Sequence, residues 1–297
     1  MSGTSWAEPA ALGTQVAVFN SFAILGILLL TLIVATAHFS AKVHRNELWF
    51  RHLIAWIIYD VAFILLLGRQ EDAVLPFGLC VFQASLIYAV PTYATLSAFS
   101  FVADLYIRLS SIVLGKRKIR PALNKFLVNM PFFVLLGVFT EALVLVQDPS
   151  AVGFEQRHLY CHVTTTTQSL ISGGIIVATG LVIFPLEICI AIMMYRNWRP
   201  FRGYSGHRIF LTTFIRVVLF TIISMLGVGL SSLSIGSPTA PKPYWARLIF
   251  TIIPVVAAIT FGSQEDIMRS WIFWREPPPA DDEDDDVCHG IESGPTF

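Results

Sequence analysis

The sequence predicts an all-α membrane protein: a seven-transmembrane helix bundle with its N-terminus outside, a short interfacial eighth helix and a disordered acidic tail. Three observations carry that expectation. Only 13% of the 297 residues are charged and 55% belong to the AVILMFWYC set, whereas ordinary soluble domains are roughly a quarter charged. Seven apolar stretches, near 15–39, 49–68, 77–111, 126–147, 168–196, 208–234 and 244–262, are each long enough for a hydrocarbon core of about 30 Å, which takes roughly 20 helical residues. The bases fall in alternate loops. Lys42, Arg45, Arg51, Arg108, Lys116, Arg117, Lys118, Arg120, Lys125, Arg196, Arg199, Arg202, Arg208, Arg216, Arg269 and Arg275 lie toward one side, and Arg69, Arg157, Lys242 and Arg247 toward the other. Sixteen against four puts the richer side in the cytoplasm, and an odd number of spans then leaves the N-terminus outside and the C-terminus inside.

The zero net charge hides an uneven distribution. Eight of the 20 acids follow Arg275, so 12 acids face all 20 bases before that point. A basic body raises nucleic acid as a partner. Here the bases sit in short loops between apolar runs and form no continuous stripe, so nucleic acid is excluded and membrane lipid takes its place.

Along the chain, residues 1–14 form a short extracellular N-terminus without Lys or Arg. The first apolar run exceeds the core of a cleaved signal peptide and reads as a retained anchor. Residues 15–262 make the seven-helix bundle, in which the second span opens with Arg51 and His52 and the third contains Pro91. Ser263, Gln264, Glu265 and Asp266 have the spacing of a capping box, with Ser263 expected to accept from the amide three residues on. An amphipathic helix over 263–275 follows, with Ile267, Met268, Trp271, Ile272 and Trp274 on its apolar side. Residues 276–297, with three prolines and an acidic run, cannot bury a core and read as a disordered cytoplasmic tail.

Of the four cysteines, Cys80 lies at the outer mouth of the third span and Cys161 in the loop between the fourth and fifth. Both face an oxidising compartment, which predicts a bridge between them. Cys189 reads as packing inside a helix, and Cys288 in the tail as a reduced thiol.

Cys80 at the top of the third helix, a second Cys in the following long outer loop, and Asp104-Leu105-Tyr106 resemble the third-helix layout of rhodopsin-like G protein-coupled receptors, in which Asp-Arg-Tyr closes that helix at the cytoplasm. Asp60 in the second span, Pro185 in the fifth and Pro254 in the seventh are similar to that family's mid-membrane Asp and helix prolines. The departures are Leu105 in place of the arginine, no central Asn in the first helix, no Trp-x-Pro in the sixth, and no Asn before Pro254. Arg108, one turn below Asp104, could supply the missing charge. Such sparse matches, with Phe261 and Gly262 opening the eighth helix, resemble the receptor-like seven-helix proteins of fungi. The resemblance implies a divergent plasma-membrane receptor that couples an extracellular small-molecule or peptide ligand to a heterotrimeric G protein.

Charges inside the membrane are costly and mark function by default. Counted from the cytoplasmic ends, Glu187 and Arg216 lie at similar depth and are expected to pair, latching the fifth helix to the sixth as a switch. Arg216 alternatively snorkels to the lipid surface. Asp104 and Arg108 have the i,i+4 spacing of a local pair, with Tyr106 between them. Asp60 has no evident partner, which points to water, a cation, a proton or a plain hydrogen-bonded carboxyl. Glu141 lies in the outer half of the fourth span. A ligand site is expected where the outer halves of the third, fifth, sixth and seventh helices converge, with Gln83, Tyr88, Tyr93, Glu141, Ser169, Ser172, Tyr244 and Trp245 as candidates.

Enzyme motifs are missing: there is no H-E-x-x-H, C-x-x-C, G-x-S-x-G or P-loop, so no catalytic residue, metal or other cofactor is expected. A retinal-linked pump needs a Lys in the seventh span, and 248–262 has none. The remaining alternative is a transporter of a proton, ion or small solute that uses Asp60, Glu141, Glu187 and Arg216. It lacks the inverted repeat and paired broken helices that many transporters show.

Overall fold

The computed structural model describes residues 9–40, 43, 45–70, 76–114, 121–146, 151–154, 159–197, 207–233 and 244–271. The expected start of the N-terminal segment, the bases at 116, 117, 118, 120, 199 and 202, and the tail with Cys288 lie outside the described residues. Seven long helices follow one another: α1 (Pro9–Phe39), α2 (Glu47–Phe63), α3 (Phe77–Leu114), α4 (Pro121–Leu145), α5 (Thr166–Arg196), α6 (His207–Leu233) and α7 (Tyr244–Gly262). A short α8 (Glu265–Trp271) completes them, and a hairpin of β1 (Val152–Phe154) and β2 (Cys161–Val163) lies between α4 and α5. The seven expected spans therefore correspond one to one with helices.

Five of these helices, α1, α3, α4, α5 and α6, are long and apolar enough to cross a membrane, and α7 makes a sixth when it is counted together with α8 across their 86° bend. At 17 residues, α2 rises only about 25 Å. It carries Glu47, Arg51, His52 and Asp60, and it is lodged between α1, α3 and α7, so protein covers much of what lipid would otherwise face. Asn46 starts it, with the side-chain oxygen accepting from Trp49 N at 3.0 Å, a standard helix N-cap. It stops at Phe63, short of the expected 68. Beyond Phe63 the chain turns through Gly68 at φ +78, a conformation that suits glycine.

Burial separates the helices by role. The apolar window of α3 is 67% buried, against 28% in α4, α5 and α6, so α3 is the axis of the bundle and packs on α2, α4 and α5. Helix α5 shows the one-sided pattern of a lipid-facing helix: Gln168, Ser172, Thr179, Ile183, Glu187, Ile190 and Met194 are buried at steps of three, four or seven residues, and Leu170, Leu181 and Ile188 point outward. An outer surface this apolar suits hydrocarbon, where the backbone must satisfy its own hydrogen bonds as helix. Cys189 also faces outward as a free thiol, which corrects the expected packing role: its neighbour Ile190 takes the buried position on this side of the helix.

Toward the end that the charge bias assigns to the cytoplasm, called the inner end below, His52 of α2 joins four aromatic rings from four helices. Phe101 of α3 stacks on it at 6.0 Å, and Phe220 of α6, Phe261 of α7 and Trp56 of α2 present edge contacts at 5.5–6.2 Å. Trp56 Nε1 donates to His52 Nε2 at 3.4 Å, and His52 Nδ1 meets Ser97 Oγ at 3.1 Å. A ring that accepts at Nε2 carries its proton on Nδ1 and donates it to Ser97.

Candidate functional site

The end of the bundle that the charge bias assigns to the outside, called the outer end below, is a stapled lid. Cys80 of α3 and Cys161 of β2 form the expected disulfide, with Cα atoms 5.4 Å apart and a sequence separation of 81. Beside it Gln83 is fully buried; its Nε2 donates to Ala62 O at 3.1 Å and Phe63 O at 3.2 Å, and its Oε1 accepts from Cys161 N at 3.0 Å. One side chain thus ties the end of α2, α3 and the hairpin together. A second amide pair does the same for α1: Asn20 Nδ2 donates to Gln70 Oε1 at 2.7 Å, and Gln70 Nε2 donates to Leu159 O at 3.0 Å. Tyr160 packs its ring on Phe19 and Phe63.

Three of the ligand candidates converge under this lid. Tyr88 hydroxyl donates to Val163 O at 3.4 Å and hydrogen-bonds with Ser169, and Ser172 Oγ donates to Tyr88 O at 2.8 Å. Gln168, one turn before Ser172, is fully buried, and neither head-group atom has a hydrogen-bond partner among the described residues. The other candidates lie elsewhere. Glu141 Oε2 on α4 is buried without a hydrogen-bond partner among the described residues. Tyr244 hydroxyl donates to Gln15 O of α1 at 2.5 Å, and Trp245 is half exposed on the outside. Tyr93 turns toward α2 and α4 and away from the other candidates, a correction to its expected place, and lines a small, water-sized cavity of about 10 Å³ with Arg51, Ser97, Ser100 and Pro131.

Midway along the bundle Asp60 is fully buried, and neither carboxyl oxygen has a hydrogen-bond partner among the described residues. It presses on Gly26 of α1, where an added Cβ would collide with Oδ2 and stand 3.3 Å from Pro254 Cβ of α7. A side chain at position 26 would have to displace the Asp60 carboxyl. A carboxyl so placed calls for a proton, a water or a cation.

The inner end is charged. Asp104 Oδ2 accepts from Arg108 Nε at 2.7 Å and from Asn46 Nδ2 at 2.6 Å, so the i,i+4 pair exists and Asn46 links it to the start of α2. Tyr106 packs part-buried against the main core. Arg45, just before α2, reaches the α7–α8 junction: Nη2 donates to Gln264 Oε1 at 2.6 Å and Asp266 Oδ2 at 2.5 Å, and the guanidinium lies 5.7 Å over the Trp49 ring. Burial pushes Arg45 below the usual arginine range; Asp266 opposes the shift and Arg216 adds to it.

Arg216 converges on the same junction, donating from Nη1 to Thr260 O at 3.1 Å and from Nη2 to Ser263 O at 2.8 Å. The expected Glu187–Arg216 pair is absent. Glu187 hydrogen-bonds with Thr221 of α6, five residues past Arg216 and about 140° round that helix. Equal depth did not mean equal direction. The capping expectation also changes: Ser263 Oγ donates back to Thr260 O at 3.3 Å, and Gln264 O takes the first helical bond of α8 from Met268 N at 2.9 Å. Gln264 therefore starts α8.

Sequence reading missed Asn46, Arg45, Gln264, His52, Asn20 and Gln70 as polar links. Asn46 carried a signal, since Asn before an acid and an apolar run is an N-terminal cap signature. Arg45 was visible only as a topology charge.

A polytopic helical bundle with a bridged outer hairpin and a charged inner end defines the class of this protein. No family model and no curated protein matches the chain. Among solved structures it is similar to squid rhodopsin, with a TM-score of 0.66 over 88% of this chain and 84% of that one at 11% identity. The fold is therefore the rhodopsin-like seven-helix fold.

Proposed function

We propose that the protein is a cell-surface receptor of the plasma membrane, which couples an extracellular small molecule or peptide to a heterotrimeric G protein by shifting the population of helix arrangements. The base bias sets the N-terminus outside and the C-terminus in the cytoplasm. The observation that carries the reading is Arg216: within a rhodopsin-like fold, α6 is held at its inner end by a guanidinium on the last carbonyls of α7. Two hydrogen bonds from one partly exposed side chain make a contact that can be broken and remade, which a switch requires. Ligand recognition is assigned to the region beneath the hairpin, where Tyr88, Ser169 and Ser172 meet. Coupling is assigned to Asp104, Arg108 and Arg216.

The test is nucleotide exchange on a panel of heterotrimeric G proteins from the source organism, with the protein in nanodiscs. Exchange that falls in Asp104→Ala and Arg108→Ala supports the reading; silence across the panel sinks it. Asp60, buried with neither oxygen bonded among the described residues, favours a second reading, transport of a proton or small cation. That reading requires a flux across sealed vesicles that Asp60→Asn abolishes.

A further inference from the structure

Where the start of α2 meets the α7–α8 junction, hydrogen-bond donors outnumber acceptors. Arg45 stands before α2 with its side chain 10% exposed, and Arg216 reaches the same junction from α6. Each guanidinium carries five N–H groups and no acceptor. Against those ten, the described residues supply four bonds: Gln264 Oε1 and Asp266 Oδ2 to Arg45, and Thr260 O and Ser263 O to Arg216. Both Arg45 bonds leave from Nη2, and its Nε is buried without a partner among the described residues. Trp49 adds a second donor of this kind. Its ring lies under the Arg45 guanidinium, and its buried Nε1 finds no acceptor among the described residues.

Charge is out of balance in the same direction. Asp266 is the carboxylate that acts on both arginines, and Arg45 and Arg216 are close enough to repel each other. Two cations thus share one acid, and the carbonyl end of α7 offsets only about half a charge more. The other described acids at this end are engaged: Glu265 with Arg269, Glu47 with Arg51 and Asp104 with Arg108. Asp266 is 33% exposed and Arg216 is partly exposed, so the cluster is reached from outside the bundle. Because α8 bends away from α7 by 86°, it runs across the end of the bundle, the level of lipid headgroups for an interfacial helix. The cluster calls for a group that is negative, accepts only and offers several oxygens. Phosphate is such a group, and planar guanidiniums grip it through paired N–H bonds. Arg216 can keep both carbonyl bonds while donating from N–H groups that have no acceptor among the described residues.

We propose that Arg45 and Arg216 form an anion site at the α7–α8 junction that takes a phosphate group, from a lipid headgroup or a soluble phosphate compound, and that the bound phosphate ties α6 to the segment before α2. The inference needs neither a G protein nor an extracellular ligand. Its test uses the full chain in uncharged maltoside micelles, which hold no phosphate. Phosphatidylglycerol is titrated in and retained lipid is counted by native mass spectrometry, with oleate as an anionic lipid that lacks phosphate. In a second arm the thermal unfolding midpoint is followed in inorganic phosphate against chloride of equal ionic strength. One tightly retained phosphatidylglycerol that oleate does not replace assigns the site to lipid, a midpoint raised by phosphate over chloride assigns it to a soluble compound, and both together assign it to the phosphate group itself. Arg216→Gln is expected to weaken binding about tenfold, the worth of one charge-assisted bond. Arg269→Gln removes an equal charge one turn along α8 and is expected to leave binding within about twofold. Asp266→Asn takes away the competing acid and is expected to tighten binding, a sign that a merely structural role for the acid would not produce. An intact Cys80–Cys161 bridge and a single species on size exclusion show that each variant is folded. The proposal is overturned if neither phosphate source exceeds its control, if Arg216→Gln and Arg269→Gln lose binding equally, or if Asp266→Asn weakens it.

Discussion

The two ends of this bundle are held by different chemistry. At the outer end the hairpin is joined by a covalent bridge and by amide side chains on backbone carbonyls, all buried and neutral. At the inner end, three guanidiniums hold the α7–α8 junction and the foot of α3, and two of them, Arg108 and Arg216, are partly exposed. Neutral buried bonds in low dielectric are indifferent to salt and expensive to leave unmade. Charged bonds near the surface are weaker and adjustable. The contrast describes a molecule with one fixed end and one adjustable end, and it can be broken or sharpened by substitution.

The largest effect belongs to the bridge. Cys161→Ser opens a loop closed over a sequence separation of 81 and is expected to cost about 4 kcal/mol, read as the fall in thermal unfolding midpoint in detergent. A loss below about 1 kcal/mol would remove the outer end from the fixed class. Next comes Gln83→Leu, which strands the Cys161 amide and is expected to cost about 2–3 kcal/mol, with the same value in low and high salt. Smaller still, Arg216→Gln is expected to cost about 1 kcal/mol after allowance for its exposure, to lose that effect as salt rises, and to increase the distance between labels on α6 and α7. Arg269→Gln, which breaks a pair exposed on both sides, serves as the floor at under about 0.5 kcal/mol. An Arg216 effect no larger than this floor, with no change in distance, would leave α6 without its proposed clasp.

The sequence yielded the fold through hydropathy and charge bias, which are summed over many residues and tolerate local error. It also yielded Cys80–Cys161 and Asp104–Arg108, since topology fixes one and helical spacing the other. It failed where azimuth decides. Glu187 and Arg216 share a depth, yet their helices turn them to different neighbours, and nothing in a single chain's spacing records how two helices are rotated against each other. Tyr93 failed for the same reason. The amide links failed for another: Gln83, Gln70 and Asn20 bond mostly backbone or one another across 20 to 89 residues, and such contacts carry no periodic signature.

Asn46 has a consequence for which substitutions its position can accept. Its oxygen begins α2 by accepting from Trp49, while its nitrogen donates to Asp104. Aspartate would cap the helix as well but would set one carboxylate against another. Serine and threonine would cap it with a single short hydroxyl, leaving no separate NH₂ to reach α3. Among the good caps, only asparagine has an acceptor and a donor on one planar head. Position 46 should therefore be among the least replaceable positions outside the helices.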